Sequence, residues 1–386
     1  MRIGIHAVTL LPRLTGRETY VQSLLGALAQ IDQSNEYCVL VSPANRHLFE
    51  RPEGNFHTIT VRLPSLPSRR LWETAYLHLS PLVRGLDVIH LPEAPVPFFQ
   101  PPKAVATVHD ILPVLYPEFF ARKARVYYQK ALSLGARHLT NIIVSSEQTK
   151  ADLMERFPVE PERIRVIYHG IGHQFRTVKD AGLLQQVRER YGLPERFILY
   201  VGTVEPRKNL VRLIRAFRRL RQRGLPHALV IAGNRGWLCD DIFQEASKGE
   251  AAGNVLFTGH VAADDLPHLY GAAALFVYPS LYEGFGIPPL EAMASGIPVV
   301  CSNRSSLPEV VGDAALLIDP EDEQAIAAAI EQGVQDEGLR ARLRRKGLER
   351  ASLFSWEKAA RETLQLYEDT CRLSTSRGKG VAKDVA

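Results

Sequence analysis

The sequence predicts an α/β protein made of two successive parallel-sheet units. Three observations carry that prediction. Short apolar runs alternate with helical periodicity along almost the whole chain, the pattern of parallel strands joined by helical crossovers. That pattern lapses between residues 170 and 195, which contain no convincing strand and read as a connection, and then restarts. At 386 residues the chain is also too long for one ordinary core, so two domains are expected.

Met1-Arg2-Ile3-Gly4-Ile5-His6-Ala7-Val8 contains a first strand over 2–8, and it lacks the apolar run and cleavage site of a signal peptide. Further strands of the first unit are expected at 36–42, 57–63, 87–91, 104–109, 141–145 and 164–168, with helices at 17–31, 71–84, 121–136 and 147–157. The second unit reads as strands at 197–201, 228–232, 255–258, 275–278, 298–301 and 315–318, with helices at 210–222, 266–273, 289–294 and 323–332. Gly and Pro punctuate nearly every strand end. The two units are expected to face each other across a cleft, with ligands at the strand C-termini that line it. The segment after Leu373, rich in Ser, Lys and Gly, reads as a disordered tail.

Composition narrows the function. With 46% hydrophobic and 23% charged residues the chain is globular, and no stretch approaches the roughly 18–20 apolar residues of a membrane-spanning helix. The formal charge of +5 suits an anionic ligand, an acidic membrane surface or nucleic acid without choosing among them. Cys38, Cys239, Cys301 and Cys371 lie far apart with no metal-like spacing, as reduced thiols of a cytoplasmic protein would.

The most specific stretch is Glu283-Gly284-Phe285-Gly286-Ile287-Pro288-Pro289-Leu290-Glu291, which follows an apolar strand and runs into a helix expected to start near Pro289. Two glycines beside a helix N-terminus leave backbone N–H groups open to an anion. Glu283 would sit on the loop, able to accept hydrogen bonds from sugar hydroxyls, and Glu291 a turn deeper, able to bind ribose hydroxyls. The plainer alternative is that Glu283 is solvated and Glu291 complements the helix dipole.

Val201-Gly202-Thr203-Val204-Glu205-Pro206-Arg207-Lys208-Asn209 places two cations between a strand and Asn209, a plausible N-cap for the next helix. From a loop both can turn toward one diphosphate and neutralise its charge as it leaves. A solvated basic pair is the competing reading. Thr107-Val108-His109-Asp110 ends an apolar strand, so His109 could meet a sugar hydroxyl or orient an acceptor; a packed His with Asp110 capping the next turn is the simpler account. In Leu14-Thr15-Gly16-Arg17-Glu18, Gly16 would let backbone approach a phosphate at the first helix, a weak signal alone.

In this order these stretches resemble the large retaining glycosyltransferase family 4, of the two-domain GT-B fold with two Rossmann-like domains. The similarity covers nearly the whole chain. It is most telling from Phe276-Val277-Tyr278-Pro279-Ser280 through Glu291-Ala292-Met293-Ala294-Ser295-Gly296-Ile297-Pro298 and on into Leu307-Pro308-Glu309-Val310-Val311-Gly312-Asp313. The resemblance implies an acceptor-side domain over 1–170 and a nucleotide-sugar donor domain over 171–365. Phe354-Ser355-Trp356-Glu357 looks like the start of helices crossing back, with the crossing segment itself placed at about 366–386.

It also implies roles. Glu283 matches the first Glu of the family's E-x7-E motif, which contacts donor-sugar hydroxyls, and Glu291 the second, which binds the ribose. Arg207 and Lys208 match the pair that grips the diphosphate. Gly284, Phe285, Gly286 and Ile287 would offer backbone N–H groups, and His109 matches a His that contacts the donor sugar. Gly16 matches part of a glycine loop that in many members has two adjacent small residues, where this chain reads Thr15-Gly16-Arg17. Gly233 and Val261 sit where relatives line the base pocket. The reaction implied proceeds on one face of the sugar, with the leaving diphosphate accepting the acceptor's proton and no enzymic nucleophile. No Asp-x-Asp occurs, so neither cofactor nor metal is expected, and the nucleotide-sugar donor, GDP- or UDP-linked, is a substrate.

The stretch Thr107–Pro113 with Tyr116-Pro117-Glu118 and Pro206–Asn209 looks most like bacterial mannosyltransferases of surface polysaccharide synthesis, which favours GDP-mannose. A hexosyltransferase acting on a saccharide or lipid-linked saccharide is therefore the reading. Alternatives are a UDP-sugar-dependent glucosyl or GlcNAc transferase of the same fold, and a non-catalytic nucleotide-sugar-binding subunit. Arg122-Lys123-Ala124-Arg125-Val126-Tyr127-Tyr128-Gln129-Lys130 could touch anionic lipid, giving a cytoplasmic protein peripheral to the membrane's inner face, although an ordinary solvated helix face fits it too. Phosphorylases of this fold are longer, epimerases lack the spaced Glu pair, and a nucleic-acid binder would need a concentrated basic face.

Overall fold

The computed structural model describes residues 1–12, 16–62, 64, 69–93 and 103–380. The chain divides into two compact units, Met1–Gly170 with Ser355–Ala386, and Ile171–Phe354. The return to the first unit thus begins at Ser355 rather than near 366. Gly170 helps set that boundary: any Cβ there would overlap the backbone of Ser355 and Trp356, so only glycine permits the approach.

The first unit holds strands β1 (Arg2–His6), β2 (Glu36–Val41), β3 (Phe56–Thr60), β4 (Val88–Leu91), β5 (Ala104–Val108), β6 (Asn141–Val144) and β7 (Ile164–Val166). They form one parallel sheet in the order β3-β2-β1-β4-β5-β6-β7. Period-two alternation sorts its side chains onto two faces. Ile3, Ile5, Tyr37, Val39 and Val105 join one core cluster, whereas Cys38, Leu40, Ala104, Ala106 and Val108 join the other. The first cluster is completed by Trp356 and Tyr367 of the return helix Trp356–Gly380.

The second unit holds β8 (Phe197–Val201), β9 (Ala228–Ala232), β10 (Val255–Gly259), β11 (Leu275–Tyr278), β12 (Val299–Ser302) and β13 (Leu316–Ile318). Their order is β10-β9-β8-β11-β12-β13, again all parallel. Helices cover both faces of such a sheet, which is why β9 and β11 are apolar and buried at every position instead of alternating. Both units are therefore Rossmann-like, each with a reversal of strand order, between β1 and β4 in the first and between β8 and β11 in the second.

Several helices differ from expectation. The single helix expected at 71–84 is two, Arg69–Leu79 and Pro81–Arg84, because Pro81 has no N–H to continue the first and suits the opening turn of the next. Ala181–Arg190 forms a helix inside the expected connection, its start capped by Asp180, which accepts from Gly182 and Leu183 N–H. Asp240–Ala246, Leu307–Val311 and Glu337–Ala351 are further unforeseen helices. The return helix runs past Leu373 to Gly380, where a disordered tail was expected. It is anchored by Tyr367 and Thr370, after which each added residue needs only one more backbone bond. Among the described residues no helix is long and apolar enough to cross a membrane.

Candidate functional site

In the second unit β8 and β11 lie side by side, and their crossovers leave in opposite directions, so a crevice opens at their C-terminal ends. The segment after β8 is pinned by a bridge between Val204 and Arg235, and then turns through a 3-10 turn at Pro206–Lys208. Glu205, buried just before the turn, accepts from Arg207 Nε at 2.9 Å and Nη2 at 2.6 Å. Arg207 Nη1 also donates to the Tyr282 carbonyl at 3.0 Å and pairs with Glu283 Oε2 at 2.7 Å.

Lys208 completes the group. Its Nζ donates to Glu283 Oε1 at 2.6 Å and to the Tyr278 hydroxyl at 2.7 Å, and lies 5.0 Å above the Tyr278 ring. Two cations and two carboxylates are thus packed into one buried cluster after β8 and β11. Burial opposes the Glu283 charge, but Arg207 and Lys208 overcome it and hold the carboxyl down at about 2. For Lys208, burial and then the neighbouring Arg207 pull the ammonium below its ordinary value, with Glu283 acting against them.

The loop carrying Glu283 is fixed from behind. Glu283 N–H donates to Ser305 Oγ at 3.2 Å; its carbonyl accepts from Ser305 Oγ and, at 2.9 Å, from Ser306 Oγ. Ser306 Oγ also bonds the Phe285 carbonyl at 2.8 Å, while the Phe285 ring is buried against Phe354. Ser305 is a non-glycine residue at φ 57°, a strained setting of the kind that collects at functional sites. The helix Ile287–Ala294 starts two residues before Pro289, with Gly286 at φ 108° in the N-cap position, which only glycine adopts readily. Pro288 and Pro289 have no N–H, so in the first turn of this helix Ile287 alone of residues 287–289 carries a backbone donor. Glu291 stands apart from the cluster: it is half-buried and accepts from the Tyr270 hydroxyl at 2.9 Å. Desolvation there raises its carboxyl to about 7 against that hydrogen bond.

Asn209 is not an N-cap in the expected sense. Its backbone is left-handed at φ 59° and its side chain caps nothing; the amide instead donates to the carbonyls of Pro279 at 3.2 Å and Pro320 at 2.6 Å, tying the β8 loop to the β11 side. Gly233 directly follows β9 at φ 148°, and a Cβ there would overlap the Gly202 carbonyl oxygen. Val261 is buried just after β10.

In the first unit His109 follows β5. Its Nε2 lies 3.0 Å from the Pro92 carbonyl oxygen, which only accepts, so Nε2 carries the proton and Nδ1 is the acceptor. Burial, aided by Arg17, lowers the imidazole to about 4, so it is neutral near pH 7. Its ring meets Tyr20 edge-on at 4.8 Å and His169 at 5.5 Å. Asp110 caps the following turn through Leu112 N–H at 3.0 Å, which is the simpler reading of that residue. Gly16 opens the helix Gly16–Ile31 with open space where a Cβ would be, so the position does not require glycine for packing; Leu14 and Thr15 lie outside the described residues. Arg17 pairs with Glu93, which also accepts from Thr9 at 3.1 Å.

The structure therefore brings Arg207, Lys208 and Glu283 into direct contact and rules out a solvated Glu283 and a solvated basic pair. Glu205, Tyr278, Ser305 and Ser306 share the site and were missed in the sequence. For Glu205 a signal existed, an acid two residues before Arg207 across a proline turn. Among the described residues no three His, Cys, Asp or Glu side chains gather where they could hold a metal ion.

Two family models match the chain: Glycosyltransferase Family 4 over residues 14–175 and Glycosyl transferases group 1 over residues 185–350. The O-antigen chain mannosyltransferase B of Escherichia coli is 38% identical over 268 residues, which cover 69% of this chain and 70% of that protein. The serotype-specific mannosyltransferase WbdA of the same species is 32% identical over 291 residues; the match covers 74% of this chain but only 36% of WbdA. Among solved structures, Anabaena HepE in complex with UDP and glucose has a TM-score of 0.73 at 21% identity, covering 96% of this chain and 100% of that one, a likeness of fold.

Proposed function

Because the chain belongs to the family 4 glycosyltransferases, enzymes of the GT-B fold, we propose that it transfers mannose from GDP-mannose to a saccharide or lipid-linked saccharide acceptor with retention of anomeric configuration. The observation that carries the reading is the buried cluster of Arg207, Lys208 and Glu283 at the β8/β11 switch point. Fixed cations in a desolvated crevice neutralise a diphosphate as it departs without having to reorganise. The sugar–phosphate bond breaks as the acceptor hydroxyl attacks the same face, and its proton passes to the leaving diphosphate oxygen. Glu283 is suited to sugar hydroxyls, Glu291 to the ribose, the amides of residues 284–287 to phosphate or sugar oxygens, and Gly233 and Val261 to the base. Neutral His109, with Nδ1 as acceptor, is suited to a donor-sugar hydroxyl.

The mannose part is supported by the names of the O-antigen relatives. A lipid-linked acceptor and contact with an anionic surface are supported by the helix Arg122–His138, which exposes Arg122, Lys123, Val126 and Lys130. The test is a thermal-shift and transfer panel of GDP, UDP, ADP and their sugars. At 100 times its dissociation constant the true donor adds about 2.7 kcal/mol of stability. GDP-mannose alone should both stabilise and turn over; stabilisation by UDP-sugars alone would remove mannose and leave the family intact.

A further inference from the structure

We propose that the return helix Trp356–Gly380 is a positioning element for His109, setting the plane of its ring through Trp356 and Tyr367. The proposal rests on the reading that His109 handles the sugar.

Two routes lead from the helix to that ring. The first is aromatic. Trp356 stacks on His169 at 5.7 Å, His169 meets His109 at 5.5 Å, and Tyr20 contacts all three, at 5.9 Å from Trp356, 5.0 Å from His169 and 4.8 Å from His109. The second is a chain of buried hydrogen bonds. Tyr367 OH lies 2.7 Å from His90 Nδ1, His90 Nε2 lies 2.7 Å from Thr107 Oγ1, and Thr107 Oγ1 lies 3.1 Å from Tyr20 OH. Tyr367, His90 and Thr107 are fully buried.

A neutral imidazole has one donor and one acceptor, so of the two hydroxyls on His90, those of Tyr367 and Thr107, one donates to the ring and the other accepts from it. Burial first, and then His109, hold His90 down to about 3, which keeps it neutral. Tyr367 and Thr107 are thus tied to the two ring nitrogens of one imidazole, and Thr107 in turn holds the Tyr20 hydroxyl, which links Tyr20 to the return helix. On its other side His109 is held by the Pro92 carbonyl, and its own carbonyl accepts from Ser145 Oγ at 3.1 Å. With Nε2 fixed at one point, the remaining freedom of the ring is a rotation, and Tyr20 and His169 are what stop it. The docking of the helix itself rests on the apolar bodies of Trp356 and Tyr367 within the core cluster. What the polar chain adds is one defined arrangement.

The test compares the full-length protein with Tyr367→Phe, Trp356→Leu and His109→Ala. Transfer kcat and donor KM are measured, together with two-bond 15N–1H spectra of the histidine rings. Both helix variants should lower kcat by about tenfold, with donor KM within about twofold, because misplaced contacts are felt chiefly in the transition state. The His109 ring resonances should move in both. Tyr367→Phe removes a single oxygen and keeps the ring, so it serves if Trp356→Leu does not fold. Wild-type kcat in Tyr367→Phe, or a lowered kcat with unmoved His109 resonances, overturns the proposal. Full activity in His109→Ala instead sinks the role of His109 itself, an outcome told apart by that variant alone.

Discussion

One carboxylate occupies both cations of the site: Glu283 takes Lys208 Nζ on Oε1 at 2.6 Å and Arg207 Nη1 on Oε2 at 2.7 Å. A diphosphate seeking the same donors competes with that carboxylate, and the outcome is measurable.

Glu283→Gln keeps the shape and removes the competing charge. GDP should bind about three- to tenfold more tightly by calorimetry while transfer falls steeply, since a neutral amide no longer repels phosphate but accepts sugar hydrogen bonds weakly. Leaving two buried cations short of a partner should also cost about 3 kcal/mol in the absence of nucleotide. Weaker GDP binding in this variant would mean that Glu283 does not compete for the cations.

Lys208→Met preserves the stem and deletes the ammonium. Affinity for GDP should drop about tenfold or more, and affinity for GMP much less, because only the diphosphate is expected to reach Lys208. Equal losses for both nucleotides would place Lys208 elsewhere.

Glu291 gives a pH signature. Its folded value near 7 exceeds the ordinary 4.5, so the native protein keeps a proton that the unfolded chain releases. Its contribution is complete below about 4.5 and is lost as pH rises toward about 7, a decline of about 2 kcal/mol once partial exposure is allowed for. Urea unfolding across that range should show wild type losing about 2 kcal/mol relative to Glu291→Gln, on top of the rise with pH that both share because His90 and His109 stay neutral in the fold while the unfolded chain protonates them.

Gly233→Ala would drive a methyl into the Gly202 carbonyl oxygen at a φ of 148° that suits only glycine. Backbone cannot yield as a side chain can, so a loss of about 3 kcal/mol or more is expected in the urea midpoint, with nucleotide affinity falling too. A midpoint within error of wild type would show that the two strand ends are not in contact.

Which features could be read from sequence follows from how far apart their causes lie. Strands such as β9 and β11 were visible because burial on both faces leaves an unbroken apolar run. The pairing of Arg207 and Lys208 with Glu283 was legible only as three residues with compatible chemistry; their contact depends on β8 and β11 being neighbours, which no local pattern states. The helix Glu337–Ala351 carries a local signal of its own, since its buried residues Leu339, Leu343, Gly347 and Ala351 recur every fourth residue. Asn209 misled because an Asn before a helix usually caps it, whereas here two carbonyls from distant loops claim its amide. His90 and Tyr367 could not have been paired at all from a separation of 277 residues.

That last pairing also ties the first unit's interior to chain on the far side of the second unit. The second unit is one uninterrupted stretch, Ile171–Phe354. The first unit is not: the face begun by Ile3, Tyr20 and Tyr37 is closed by Trp356 and Tyr367, which follow the whole of the second unit in sequence. A chain cut after residue 354 is therefore expected to keep the second unit's contacts while one face of the first unit's sheet stays uncovered.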